Sequence, residues 1–141
     1  MRTSRKTLLL GTRKGLIIYK KVDGLWGFQR DCFLGIPVSY AMADPRDGTW
    51  WVGLDHGHWG CKLHCSTDQG ASWKPMPAPA YPEGEWVKEG KAAKLEYIWS
   101  LAAGHKEHSQ RIYAGTDPGG LFRSDDAGAS FVLERGLWDH P

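Results

Sequence analysis

Asp55-His56-Gly57-His58-Trp59 is the stretch of this 141-residue chain where side chains able to do chemistry stand closest together. Two histidines at i and i+2 in extended chain lie on one side, about 6–7 Å apart at the backbone. With the Asp55 carboxylate beside them, His56 and His58 could share a divalent metal ion. The three could equally serve as acid, base and substrate-orienting groups. In the structural alternative, the histidines hydrogen-bond neighbouring loops and Trp59 packs at an edge. A second carboxylate, Asp117, opens the link Asp117-Pro118-Gly119-Gly120. Glycosidic hydrolysis needs two carboxyl groups about 5–10 Å apart, and Asp55 with Asp117 is the pair this sequence offers. An Asp before Pro is also a turn starter. Apart from that divalent ion, no cofactor is implied.

Cys61, His64 and Cys65 resemble a metal cluster at first sight. On a strand, however, Cys61 and Cys65 share a face about 13 Å apart, too far for one ion or a disulfide. They are expected to be ordinary buried thiols, with His64 packed on the other face. Three cysteines without framework spacing fit a reducing, cytoplasmic setting. The mixed charge, +2 net, forms no basic stripe for nucleic acid. The apolar run Leu8-Leu9-Leu10 after Met1–Lys6 is too short for a signal core, and no segment is expected to cross a membrane.

The elements that must position these residues follow from a repeat. Ser66-Thr67-Asp68-Gln69-Gly70-Ala71-Ser72-Trp73 recurs as Ser124-Asp125-Asp126-Ala127-Gly128-Ala129-Ser130-Phe131. Each reads as a hairpin tip. The Asp (Asp68, Asp126) accepts from amides two residues on, the Gly (Gly70, Gly128) takes positive φ, and the aromatic (Trp73, Phe131) anchors the returning strand. Asp23-Gly24-Leu25-Trp26 is a degenerate third copy. Upstream, Leu8–Gly11, Trp50–Gly53 and Arg111–Gly115 are three versions of one strand ending in Gly. Eight Trp and eighteen Gly also favour short strands and tight turns.

The repeating unit is four antiparallel strands, A to D, with the Ser-Asp-Gly turn between C and D. Such units around an axis make a β-propeller. The chain is then one partial domain of about three four-stranded blades. The first, about 7–31, lacks its A strand; the second spans about 38–76; an insertion covers 77–97; the third spans about 98–135. The insertion is rich in proline, offers Tyr81 and Trp86 as stacking platforms, and predicts a short helical turn over Lys91–Tyr97. The missing blades are expected from sequence beyond Pro141, with oligomerisation as the alternative. In an up-and-down blade the A–B and C–D turns share one end and the B–C links the other. Ligand-binding candidates at that second end are Arg13, Lys14, His56, His58 and Trp59, together with Trp138 and His140. Trp26 and Trp73 are expected to anchor turns, and Trp50, Trp51 and Trp99 to lie in strands.

The repeated turn resembles the Asp-box, or BNR, repeat of sialidase-type propellers, with Ser66, Asp68, Gly70, Trp73 and Ser124, Asp126, Gly128, Phe131 as its structural positions. Leu10-Gly11-Thr12-Arg13-Lys14-Gly15-Leu16, Leu54–Gly60, Ala114–Asp126 and Arg135–Pro141 are similar to stretches of bacterial BNR-repeat proteins labelled glycosyl hydrolase-like. The resemblance implies a binding scaffold for a carbohydrate, another polar small molecule or a protein, with a glycoside hydrolase or a metal-binding propeller as alternatives. Sialidases begin their carboxylate clamp with Arg-Ile-Pro; here the nearest match is Gly35-Ile36-Pro37, so that anchor is missing.

Overall fold

The computed structural model describes residues 6–141; the basic residues Met1–Arg5 lie outside it. The fold is all-β, and every sheet is antiparallel. Strands β1 (Thr7–Thr12), β2 (Gly15–Val22) and β3 (Leu25–Cys32) form the first sheet, in that order. The second holds β4 (Val38–Ala43), β5 (Trp50–Asp55), β6 (Cys61–Ser66) and β7 (Lys74–Met76). A small hairpin of β8 (Trp86–Lys88) and β9 (Lys91–Ala92) follows. The third sheet holds β10 (Tyr97–Ala103), β11 (Ile112–Asp117), β12 (Leu121–Ser124) and β13 (Val132–Leu133). A four-residue helix, α1 (Arg135–Trp138), ends the fold. No helix among the described residues is long and apolar enough to cross a membrane.

The three large sheets stack face to face, because β5 is hydrophobic on both sides. Trp50, Val52 and Leu54 pack on Leu16 and Ile18 of the first sheet. The alternate residue Trp51 joins Leu63 and Cys65 against Ile98, Leu101, Ile112 and Phe122 of the third. Alternation of side chains along a strand makes this possible, one face serving each neighbour. Two arginines tie the sheets at their turn ends. Arg30 Nη1 donates to Gly70 O at 3.1 Å, linking the first sheet to the second. Arg46 Nη1 donates to His108 O at 2.8 Å, linking the second to the third. Burial alone would raise the Asp44 carboxyl, but its hydrogen bonds from the Arg46 side chain and amide hold it below the usual range.

The two Ser-Asp-Gly turns are near copies in three dimensions. Asp68 Oδ1 accepts from Ser66 Oγ and from the Ser72 amide, both at 2.8 Å, while Oδ2 accepts from Ser72 Oγ at 2.6 Å. Asp126 does the same with Ser124 at 2.7 Å and with the amide and hydroxyl of Ser130 at 2.9 and 2.5 Å. The amide bound is thus four residues on, not two, since the turn is wider than a simple Asx turn. Gly70 and Gly128 adopt φ of 79° and 81°, and the residues before them, Gln69 and Ala127, are also left-handed. A Cβ on Gly70 would stand 2.8 Å from Ile18 Cδ1; one on Gly128 would stand 2.6 Å from Trp51 Cη2. Each glycine is where its turn lies against the preceding sheet.

Several expectations change. Lys91–Tyr97 holds no helical turn: Lys91 and Ala92 pair with the Trp86–Lys88 strand, and residues 93–96 lead without regular structure into β10. Gly90 at φ 76° closes that hairpin. Of the returning strands, expected over Trp26–Arg30, Ser72–Met76 and Ser130–Arg135, the first is longer (Leu25–Cys32) and the other two shorter (Lys74–Met76 and Val132–Leu133), the last because the chain turns into α1. Trp26 anchors nothing in the core. It is 48% exposed, with Lys21 Nζ 5.7 Å from its ring centre.

Two outcomes follow. Gly70→Ala and Gly128→Ala each combine left-handed strain with a steric clash, and chemical denaturation should show losses of about 2–5 kcal/mol apiece. The Asp68 and Asp126 carboxyls titrate at about 2, chiefly because the Ser72 and Ser130 hydroxyls bind their charged forms. Their pKa is depressed in the fold, so their contribution is complete above the ordinary carboxylate pKa of about 3.9 and lost as pH falls through about 2. The double variant Asp68→Asn/Asp126→Asn should flatten the pH dependence of unfolding in that window.

Candidate functional site

At the end of the stack away from the Ser-Asp-Gly turns, hydrogen bonds join three strand links into one rim. The β1–β2 link carries Arg13 and Lys14, and Lys14 O accepts from the Gly35 amide at 3.0 Å. Two residues on, Pro37 O accepts from the Asp55 amide at 2.9 Å, at the start of the β5–β6 link. The other end of that link, Cys61, donates its thiol to Glu96 O at 3.1 Å. The Glu96 amide in turn reaches Asp117 O at 2.8 Å, where the β11–β12 link begins.

The β5–β6 link is a 3-10 turn, Gly57–Trp59, and not extended chain. Gly57 at φ 57° and Gly60 at φ 76° allow it. Asp55 Oδ1 accepts from the Gly57 amide at 3.3 Å, and the His56 amide donates to Gly60 O at 3.1 Å. A 3-10 turn places i and i+2 on different sides of its axis, which removes the side-by-side histidine geometry expected of a strand. Among the described residues, no three His, Cys, Asp or Glu side chains gather as a metal donor set. His56 is half-buried, while His58 and Trp59 stand in solvent with their rings edge to face at 5.7 Å. Trp59 is 70% exposed.

The remaining candidates divide clearly. Arg13 and Lys14 are exposed at the first link, beside Leu34, an exposed apolar side chain that spacing arguments did not single out. Asp117 is half-buried and precedes Pro118. His140 is exposed, its Nδ1 3.0 Å from Pro141 O. Trp138 is not a free ligand platform. It packs on the core, its Nε1 donates to Glu85 Oε2 at 2.7 Å, and its ring meets Tyr81 at 5.0 Å. The Trp138 bond, with the Arg135 contact at 2.6 Å, holds the Glu85 carboxyl below its usual range.

Tyr81, expected as a stacking platform, is a peg. Its ring lies edge-on to Phe122 at 5.0 Å, and its hydroxyl bonds Thr116 Oγ1 at 2.8 Å and the Pro118 carbonyl. Burial raises its phenol pKa. The insertion is thereby fastened to the third sheet, with Trp86 left 57% exposed at its hairpin. A tyrosine between prolines gives no sequence signal for this, because the partners Thr116 and Phe122 are distant in the chain.

Cys65 is buried, and Cys61 is half-buried; burial raises both thiols. His64 lies on the opposite face against Phe33 at 5.1 Å, its pKa lowered by burial. No protein-family model and no curated protein matches the sequence.

Tyr81→Phe keeps the ring and removes the hydroxyl that serves Thr116 and Pro118, so it should cost about 1–2 kcal/mol. Limited proteolysis should then cut within residues 83–90 faster than in the parent chain.

Proposed function

We propose that the chain is part of an Asp-box β-propeller acting as a binding scaffold, with its ligand at the rim formed by the links at Lys14, His58 and Asp117. The observation that carries this is the division of labour between the two ends. One end is built from self-satisfied Ser-Asp-Gly turns whose carboxylates are fully occupied by their own serines. The other presents an exposed indole, an imidazole and two cations on links tied together by backbone hydrogen bonds and the Cys61 thiol. Variable polar and aromatic groups on a rigid frame are what binding surfaces use. An exposed indole suits the C–H face of a sugar, and Arg13 and Lys14 suit an acidic group on it.

Binding is preferred to hydrolysis for a specific reason. A glycosidase needs two carboxyl groups facing the bond it cleaves, about 5–10 Å apart, and Asp55, one of the two candidates, turns an oxygen to the Gly57 amide of its own link.

Saturation-transfer NMR against a panel of neutral and acidic oligosaccharides tests the reading. Contacts should map to the Trp59 indole, and Trp59→Ala should weaken binding about tenfold or more, while Trp26→Ala leaves it unchanged. The reading is abandoned if no sugar contacts the rim, or if both variants bind as the parent does.

A further inference from the structure

The seam between the first and second sheets holds a small aromatic cluster. Phe33, the residue after β3, sets its ring against His64 of β6 at 5.1 Å and against Trp73 at 5.0 Å. His64 Nδ1 and Trp73 Nε1 are both buried without a hydrogen-bond partner among the described residues. Phe33 stands at φ 56°, a left-handed conformation that sterics disfavour for a bulky side chain. Gly15 lies close behind it: a Cβ there would stand 2.7 Å from Cys32 O and 3.1 Å from Phe33 O. The ring contacts of Phe33 therefore work against its backbone preference.

The residues that Phe33 leads into hold the first link of the rim. The Gly35 amide donates to Lys14 O at 3.0 Å, and Pro37 O accepts from the Asp55 amide at 2.9 Å.

The surroundings of His64 suit a neutral imidazole. Side-chain alternation puts Lys62 on the same face of β6 and Arg30 on the facing side of β3, and His56 stands on the adjoining link. From β5 the facing groups are the apolar Val52 and Leu54, and β7 sets Pro75 opposite His64. Of the carboxylates on these elements, Asp31 alternates to the outer face of β3 and is exposed. Asp68 is occupied by its own serines, and Asp55 turns an oxygen to the Gly57 amide. Burial first, then His56 and Lys62, lower the His64 pKa from its ordinary value.

We infer that His64 and Phe33 form an acid-sensitive latch: when the imidazole gains a proton, the Phe33 ring leaves the seam and residues 33–37 release the β1–β2 link. A proton there adds a charge where the facing side chains are basic, and an unpaired buried charge costs far more than a neutral ring. Once Phe33 moves, water reaches the imidazolium and Trp73 Nε1, and the Phe33 backbone relaxes out of the left-handed region. The closed latch is complete above the ordinary histidine pKa of about 6.5. It weakens as pH falls below that, by up to about tenfold per pH unit until the lowered pKa is passed. Opening is local, because the second and third sheets share a separate core. The latch is independent of what the rim binds.

Hydrogen exchange followed by NMR on the 141-residue chain tests this, with rates corrected for the intrinsic effect of pH. Between pH 7.5 and 5.5 the amides of Gly35, Ile36 and Asp55 should lose at least fivefold in protection, while the strand amides of β10 and β11 keep theirs. His64→Leu retains an apolar contact for Phe33 and cannot titrate, so it should abolish the loss; His64→Gln serves if the leucine variant does not fold. His56→Gln should retain the loss. Phe33→Ala should show low protection already at pH 7.5. The inference is overturned by an unchanged parent, by the parent's loss persisting without His64, or by its vanishing in His56→Gln. Full protection in Phe33→Ala, or simultaneous loss across all three sheets, overturns it equally.

Discussion

The close approach of one turn glycine to the sheet before it is the constraint on which the stack depends. At Gly70 the neighbours are Ile18 and Trp50, and at Gly128 they are Trp51 and Met76. The turn must be both left-handed and without a side chain at that point, and the Ser-Asp-Ser hydrogen bonds hold it so. Those bonds are local, made within seven residues of chain. Their effect is long-range, because the turn they shape is the surface on which the neighbouring sheet registers.

From that contact the rest follows in order. Sheets held at this spacing demand a middle sheet apolar on both faces, which the Trp50-Trp51-Val52 run of β5 supplies. With the turn end committed to packing, the opposite end is free to vary. There the links at Lys14, His58 and Asp117 are held by backbone bonds and the Cys61 thiol, and their side chains are not consumed by the core. The insertion between the second and third sheets is part of this frame. Tyr81 pins one end of it to Phe122 and Thr116, and Glu85 joins it to α1 through Trp138 and Arg135. Rigidity at the rim is thus assembled from segments that alternate in sequence but touch in space.

The strand pattern was legible in the amino-acid sequence because it rests on local rules. The two turn motifs and the strands through Gly11, Gly53 and Gly115 declare themselves by repetition and turn chemistry, although each of those strands runs past its glycine, to Thr12, Asp55 and Asp117. That Cys61 and Cys65 are not joined followed from strand spacing alone, whereas the half-exposure of Cys61 did not. What the sequence could not decide were the features that depend on partners far along the chain. The histidine link became a 3-10 turn because two glycines let it close on itself, whatever its neighbours' periodicity. Trp26 went to solvent and Trp138 to the core, although both are tryptophans near strand ends. Tyr81 became a peg because Phe122 and Thr116 offer a ring and a hydroxyl at the same place. Short-range hydrogen bonding and side-chain alternation are written residue by residue; burial is a property of whatever sheet arrives on top.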